Sequence, residues 1–168
     1  ALARAASDLP AADLTTAHEA IARLACPEAR WALETALLDA EARTAGLPLA
    51  RHISARATDC VAVNAALGPL DTCCITRARQ ALEQGYAFAK VKVGVATVAG
   101  EIIALREIVA ATGGRLRIRL DANRAWSESQ ARELLMAICD LPIDGVEEPL
   151  ADPTPRRLAA LQAMLPFP

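Results

Sequence analysis

The 168-residue sequence lacks the features by which proteins bind nucleic acids or cross membranes. Aromatic residues make up only 3% of it, and its formal net charge is −2, with acidic and basic residues interspersed. Bases would find little to stack on, and phosphates would meet no basic field. Uncharged runs are short and broken by proline or glycine, well below the roughly 20 residues that a bilayer span needs. We predict a soluble protein that binds neither nucleic acids nor membranes.

The sequence also lacks any cysteine spacing typical of a zinc site. Its five cysteines are an odd number, and Cys60 and Cys139 stand in otherwise apolar runs. We therefore predict buried free thiols in a reducing cytoplasm. Cys73 and Cys74 are adjacent, and a redox pair is the alternative to simple packing there. No signal peptide is visible at the start of the sequence, which agrees with a cytoplasmic location.

What the sequence does contain is a globular composition with an ordered alternation of helix and strand patterns. Hydrophobic residues make up 54% and charged residues 23% of the chain, which suffices for one substantial core. Helical periodicity covers residues 13–45, and Pro27 divides it into two helices. A compact apolar run at residues 60–63 then predicts a strand. Further strands are predicted at 87–93, 116–121 and 145–148, and helices at 72–84, 97–111, 127–139 and 154–165, with caps at Thr97, Ser127 and Thr154.

This alternation is typical of a parallel sheet covered by helices, either an open doubly wound sheet or a barrel. A dinucleotide-binding open sheet would need a G-x-G-x-x-G turn after its first strand, and residues 64–68 do not supply one. Charged side chains stand instead at the carboxyl ends of successive strands, where barrel enzymes carry their chemistry. They are Lys90 and Lys92, Arg119 and Asp121, and Glu147. We predict the first half of a TIM-type (β/α) barrel.

Lys90 and Lys92 are two residues apart on one predicted strand, so their side chains share one face. Each ammonium disfavours protonation of the other, and partial burial adds to the effect. We expect at least one lysine to have a lowered pKa and to serve as a base near neutral pH. The alternative is a strand end with two solvated lysines.

Asp121 and Glu147 end the next two predicted strands. A carboxylate buried at such a position needs a cation beside it. Adjacent residues point to opposite sides of a strand, so only one of Glu147 and Glu148 can share the interior with Asp121. Oxygen ligands without histidine or cysteine favour Mg²⁺ over zinc. For each acid alone, the alternative is a salt bridge to a nearby lysine or arginine.

Three motifs, taken together, resemble those of a known superfamily. They are Lys90-Val91-Lys92-Val93-Gly94, Asp121-Ala122-Asn123-Arg124-Ala125-Trp126 and Glu147-Glu148-Pro149, in this order on consecutive βα units. The sequence is similar in these motifs to the enolase superfamily, in its muconate lactonizing subgroup. Asn64-Ala65 and the D-A-N-R-A-W string look most like the o-succinylbenzoate synthases, dehydratases of menaquinone biosynthesis. The resemblance begins near Ala29, because residues 32–39 look like the last helix of the capping domain in that family.

The resemblance implies proton abstraction next to a carboxylate of a small-molecule substrate, with a metal stabilising the enediolate. Lys92 would be the general base, and Lys90 would tune it and help to hold the substrate carboxylate. Asp121 and Glu147 would bind Mg²⁺, with Mn²⁺ as the alternative ion. The remaining candidates are substrate-binding or surrounding residues, and they are Asn64, Arg119, Asn123 and Glu148.

The resemblance also implies that the chain is incomplete. We assign residues 1–53 to the helical end of an α+β capping domain and residues 54–168 to the first four βα units of the barrel, although a whole barrel has eight strands and about 200 residues or more. The third metal ligand and the opposing lysine have no match here, so we expect this fragment alone to be inactive. Dipeptide epimerase or muconate cycloisomerase activity is the alternative to dehydration. A half-barrel that acts only by assembling, for example as a homo-oligomer, is the alternative of another class.

Overall fold

The computed structural model describes residues 14–168, and the chain divides into two compact units between Val61 and Ala62. The described part of the first unit, residues 14–61, has three helices, α1 (Leu14–Ala22), α2 (Pro27–Thr44) and α3 (Leu49–Ile53). The second unit has four strands, β1 (Ala65–Pro69), β2 (Phe88–Lys92), β3 (Arg117–Asp121) and β4 (Ile143–Glu147), and four helices, α4 (Cys74–Glu83), α5 (Val98–Thr112), α6 (Glu128–Ala137) and α7 (Pro155–Gln162). The predicted start of the first helix, at Asp13, lies outside the described residues.

Local signals separate α1, α2 and α3, and one polar cluster joins them. Pro27 opens α2, where its fixed φ suits the first turn and its missing N–H breaks no helical hydrogen bond. Gly46 follows α2 with a φ of +67°, a conformation that favours glycine. His18, Glu41 and His52, one from each helix, form a cluster in which the carboxylate lies between the two imidazoles, at 2.8 and 3.3 Å. Each helix is therefore linked to the next through the side chain of Glu41.

The second unit is a parallel sheet with strand order β1-β2-β3-β4, in which a helix follows every strand. One face of the sheet packs into the core against the helices; Ala89, Val91, Ile118 and Leu120 on this face are fully buried. The other face carries the charged side chains of the same strands, since neighbouring residues point in opposite directions. The predicted alternation of strand and helix is confirmed.

The helices begin close to where the sequence places them. The hydroxyls of Thr97, Ser127 and Thr154 each accept a hydrogen bond from a backbone N–H in the first turn of α5, α6 and α7. Ser127 forms the predicted capping box with Gln130. These caps satisfy amides that have no partner within the helix. The three predicted capping sites are confirmed.

The predicted strand at residues 60–63 is wrong. Residues 60–64 form no regular structure, and the first strand is Ala65–Pro69. Val61 and Val63 are 79% and 65% exposed. Strand preference depends on pairing and burial as well as on branching at Cβ, and the chain pairs with β2 only from Ala65 onward, opposite Ala89.

The prediction of buried thiols holds for one cysteine. Cys74 is buried at the start of α4, Cys26 is half-buried, and Cys60, Cys73 and Cys139 are exposed. Cys60 lies in the irregular segment before β1, and Cys139 lies in the turn after α6, so neither is covered by a neighbouring element. All five are free thiols. Separately, the helices within residues 14–168 include none with the length and apolarity to cross a bilayer.

Candidate active site

Four of the predicted site residues meet at the carboxyl ends of β2, β3 and β4. The strand register places Lys92 beside Asp121 and Asp121 beside Glu147. The Nζ atom of Lys90 lies 2.7 Å from Oε2 of Glu147 and 3.0 Å from Oδ2 of Asp121. The Nζ atom of Lys92 lies 3.6 Å from the same Asp121 oxygen. The strand-end cluster, defined as Lys90, Lys92, Asp121 and Glu147, therefore contains two cations and two anions, in which Lys90 contacts both acids and Lys92 contacts Asp121.

The two lysines have different surroundings within this cluster. Lys90 lies between two carboxylates, and its side chain is 32% exposed. Lys92 is 51% exposed and donates a hydrogen bond of 2.5 Å to Oδ1 of Asn123. Lys90 is thus held by charge on two sides, whereas Lys92 has a neutral acceptor and more open space around its amine.

The expected lowering of a lysine pKa is wrong for Lys90. Its hydrogen bond to Glu147, and then that to Asp121, raise the pKa of Lys90 above its usual value and outweigh the effect of burial. For Asp121, burial acts to raise the pKa, but the hydrogen bond from Lys90 and the charges of both lysines outweigh it, so the pKa is lowered. Repulsion between the two lysines favours a lower pKa, but the carboxylates of the neighbouring strands have the larger effect.

A bulge in β4 places a further acid on the charged face. Ile118 pairs with Ile143 but Arg119 pairs with Gly145, so one residue, Asp144, is inserted in the register. Its carboxylate accepts hydrogen bonds of 3.1 and 2.5 Å from the Arg119 guanidinium and lies 3.5 Å from that of Arg117. Arg119 is thereby paired in the row of Lys90, one residue pair below the row formed by Lys92, Asp121 and Glu147. Sequence reasoning missed Asp144, since alternation counted from Glu147 assigns it to the opposite face.

Asn64 lies apart from the strand-end cluster. It lines a groove of about 270 Å³ together with Phe88, Arg119 and Asp144. Its side-chain amide donates to the carbonyl of Ala65 at 3.3 Å. Of the four predicted surrounding residues, the structure brings Asn123 into contact with the cluster and places Asn64 and Arg119 in this lower groove.

The loops after β3 and β4 hold unusual backbone conformations. Asn123, Arg124 and Glu148 have φ values of 46°, 62° and 44°, and left-handed conformations are uncommon for residues other than glycine. The Arg124 N–H donates to the Glu148 carbonyl at 2.7 Å, and the two side chains form an exposed ion pair at 3.0 Å. Glu148 is therefore held by Arg124, and Asn123 is turned toward Lys92.

Asp121 and Glu147 suit a hard divalent cation. Both are carboxylates, and in this structure the ammonium of Lys90 lies between them. Their position therefore favours positive charge, and their oxygens are of the kind that Mg²⁺ binds. Within residues 14–168, however, three or more acidic, histidine or cysteine side chains do not come together as a metal site. The described residues thus fit as two ligands, fewer than the full set that Mg²⁺ uses.

Known proteins resemble this chain in sequence. Residues 74–168 match the family described as Enolase C-terminal domain-like. Muconate cycloisomerase 1 of Pseudomonas putida is 31% identical over 154 residues, which are 89% of this chain and 41% of that protein. The L-Ala-D/L-Glu epimerase of Bacillus subtilis is 33% identical over 129 residues, which are 73% of this chain and 34% of that protein.

The solved structures show the same likeness. The muconate lactonizing enzyme from Pseudomonas putida superposes with a TM-score of 0.78 at 26% identity, over 99% of this chain and 47% of that one. The muconate cycloisomerase from Pseudomonas fluorescens gives the same TM-score at 24% identity, over 93% and 44%. The chain spans less than half the length of each of these relatives.

Proposed function

The chain belongs to the enolase superfamily, in its muconate lactonizing subgroup, and on that premise we propose that it supplies one half of an active site that removes the proton next to a substrate carboxylate. The observation that carries this proposal is the row formed by Lys92, Asp121 and Glu147 across three parallel strands. An amine and two carboxylates at the carboxyl ends of such strands combine a base with a place for a cation.

Lys92 is the better placed of the two lysines to act as the base. Two carboxylates stabilise the ammonium form of Lys90, so Lys90 gives up its proton reluctantly. Lys92 in its neutral form can donate a hydrogen to Oδ1 of Asn123 and keep its lone pair free for the substrate proton. Lys90, as a fixed positive charge, suits a substrate carboxylate better than a proton transfer.

Asp121 and Glu147 are the residues that would hold the metal in the complete protein. Mg²⁺, or Mn²⁺ as the alternative, would supply positive charge that makes the neighbouring C–H more acidic. Asn123 orients the base, and the Arg124–Glu148 pair fixes the loop that carries Asn123.

The sequence motifs and the similar proteins favour different reactions. The motifs at residues 64–65 and 121–126 favour dehydration by a carbon–oxygen lyase of the o-succinylbenzoate synthase type. We place this reaction in the cytoplasm, as the cysteine pattern predicts. The named relatives favour a different chemistry, since they are muconate cycloisomerases at 30–34% identity and dipeptide or amino acid epimerases at 28–33%. Each of these reactions would use the same base and the same pair of carboxylates.

One panel of assays separates these reactions. The complete protein is supplied with Mg²⁺ and then with the precursor of o-succinylbenzoate, with cis,cis-muconate, or with L-Ala-L-Glu. Dehydration without the other two activities supports the synthase. Epimerisation or lactonisation without dehydration excludes it and leaves the proposed half-site intact. Turnover of any substrate that survives Lys92→Ala contradicts the proposed base.

A half-barrel that acts by assembling is the second candidate, and the sheet supplies an observation in its favour. β1 and β4 each pair with a strand on one side only within the described sheet, and such edges invite pairing with another chain. Sizing the 168-residue chain with and without Mg²⁺ tests self-association. A monomer in both conditions contradicts this candidate.

A further inference from the structure

Glu101 is a buried carboxylate that the proposed chemistry does not use. It lies in the first turn of α5 and is 1% exposed. Its Oε1 atom accepts hydrogen bonds from the backbone N–H of Val95 at 2.8 Å and of Ala96 at 3.3 Å. Its Oε2 atom is buried without a hydrogen-bond partner in the described part of the chain. Burying a carboxylate costs free energy unless donors meet it, so the two amides and the helix N-terminus are what hold it there.

These two amides belong to the loop that leaves the proposed base. The carbonyl of Lys92 accepts from the Leu70 N–H at 2.9 Å, and the Val93 N–H donates to the Asp121 carbonyl at 3.0 Å. Sheet pairing therefore fixes the backbone up to Val93. Beyond Val93, the backbone is held by Glu101, because its carboxylate accepts hydrogen bonds from the amides of Val95 and Ala96.

The same loop presses against the loop that carries Asn123. Gly94 has a φ of +76°, and a Cβ built there would lie 2.3 Å from Cβ of Ala125. Ala125 is two residues after Asn123, the hydrogen-bond acceptor of Lys92. The donor and the acceptor of that bond thus sit on two segments that meet where Gly94 touches Ala125.

We propose that Glu101 is a positioning residue for the base. By holding the amides of Val95 and Ala96, it keeps residues 93–97 packed on residues 122–126 and so keeps Nζ of Lys92 on Oδ1 of Asn123. Glu101 acts through the loop and contacts no substrate. The inference rests on the proposed function only in taking Lys92 as the base.

The test compares Glu101→Ala and Glu101→Gln in the complete protein, with Glu107→Ala as the matched control on the exposed side of α5. The alanine removes the acceptor of both amides, whereas the glutamine keeps an oxygen for them. Three quantities are measured: hydrogen exchange of the Val95 and Ala96 amides, the rate of acylation of Lys92 by acetic anhydride, and kcat and KM for α-proton exchange in deuterium oxide with L-Ala-L-Glu and with muconolactone.

For Glu101→Ala we expect amide exchange at Val95 and Ala96 to rise by about tenfold or more. Acylation of Lys92 should rise about fivefold, as expected for one lost hydrogen bond. The value of kcat should fall by about 10- to 100-fold, because small displacements of a catalytic group have such effects, and KM should change less than kcat. Glu101→Gln should restore all three quantities in large part, and Glu107→Ala should leave them unchanged.

The inference is overturned if the amides of Val95 and Ala96 exchange faster in Glu101→Ala while Lys92 acylation and kcat stay within about twofold of the unaltered protein. That result would mean that Glu101 holds the loop without affecting the base. If Glu101→Ala does not fold, Glu101→Asp replaces it, since the shorter side chain reaches the amides less well but keeps the charge. If the protein turns over neither L-Ala-L-Glu nor muconolactone, the rate of Lys92 acylation is the test: a rise in Glu101→Ala supports the inference, and an unchanged rate overturns it. A Lys92→Ala variant with undiminished exchange would instead refute the proposed function.

Discussion

Two polar clusters, one in each unit, share one arrangement, in which an ionisable side chain lies between two partners. In the strand-end cluster one ammonium, that of Lys90, lies between two carboxylates. In the helical unit one carboxylate, that of Glu41, lies between two imidazoles. The difference is their place in the fold. The Glu41 cluster links three helices, while the Lys90 cluster lies at the carboxyl ends of parallel strands, where (β/α) enzymes carry their chemistry.

This comparison shows that an ionisable group held between two partners does not by itself identify a functional site. In both clusters the shift in pKa favours the charged form of the central group: the pKa of Glu41 is lowered and that of Lys90 is raised. What distinguishes the strand-end cluster is a neighbouring amine, Lys92, that remains half exposed and is not enclosed by the two acids. We therefore expect changes in the first unit to alter stability, and changes in the strand-end cluster to alter chemistry.

The largest expected effect is that of Lys92→Ala on chemistry. Removing the base should lower α-proton exchange in the complete protein by about 10²- to 10⁴-fold, the range of general base catalysis. Metal binding should stay largely intact, because Asp121 and Glu147 are unchanged. Deuterium incorporation followed by NMR measures the first quantity, and titration calorimetry with Mg²⁺ the second. Undiminished exchange would place the base elsewhere.

The next effect is that of Asp121→Ala on metal binding. We expect the affinity for Mg²⁺ to fall by at least about tenfold, and catalysis to fall as a consequence. Asp144→Ala is the matched control, since Asp144 is an acid on the same face that pairs with Arg119 rather than with Lys90. An equal loss of Mg²⁺ affinity in both variants would show that Asp121 is not a specific metal ligand.

A smaller effect concerns the packing of the loops at the strand ends. Gly94→Ala should destabilise the fold by about 1–3 kcal/mol, because the added Cβ meets Ala125 at 2.3 Å. At Gly114 a similar φ of +66° is found, but nothing lies within 4 Å of an added Cβ. Gly114→Ala should therefore be the milder change of the two in urea unfolding. If both variants lose the same free energy of unfolding, backbone strain, and not the contact between the loops, causes the destabilisation.

The smallest effect is a pH dependence of the helical unit. The hydrogen bond from His18, with that from His52, lowers the pKa of Glu41 in the fold. A lowered carboxyl pKa contributes stability above the value of the unfolded chain, which for glutamate is 4.5, and this contribution is lost as the pH falls further through the folded value. Helicity of the 168-residue chain, followed by circular dichroism from pH 6 downward, should therefore decrease below about pH 4.5.

Glu41→Gln is the control for this dependence, because glutamine keeps the size and cannot titrate. The variant should be less stable at pH 6 and should lose the part of the acid transition that Glu41 contributes. An unchanged acid profile would show that the two histidines do not act on Glu41 in solution.

Much of the fold follows from local signals in the sequence. The caps at Thr97, Ser127 and Thr154 and the alternation of strand and helix were predicted and are confirmed. Capping depends on neighbouring residues in the chain, so a sequence shows it directly. The strand at 60–63 was predicted wrongly because its position depends on pairing with β2, which a local pattern does not reveal.

Less of the site than of the fold could be predicted from the sequence. Alternation along one strand suffices to put Lys90 and Lys92 on one face, and the motifs at residues 121 and 147 indicate where acids join them. The bulge that brings Asp144 to this face, the left-handed loop that turns Asn123 toward Lys92, and the reach of Glu101 to Val95 and Ala96 leave no regular spacing in the sequence.

The sequence by itself therefore determined the family, the alternation of strand and helix in the second unit and the residue types at the strand ends. Only the tertiary structure decided which lysine is held by two acids and which has the freer amine. The physical reason is that electrostatic interactions depend on distances across strands: Lys90 and Glu147 are 57 residues apart in the chain and 2.7 Å apart in space.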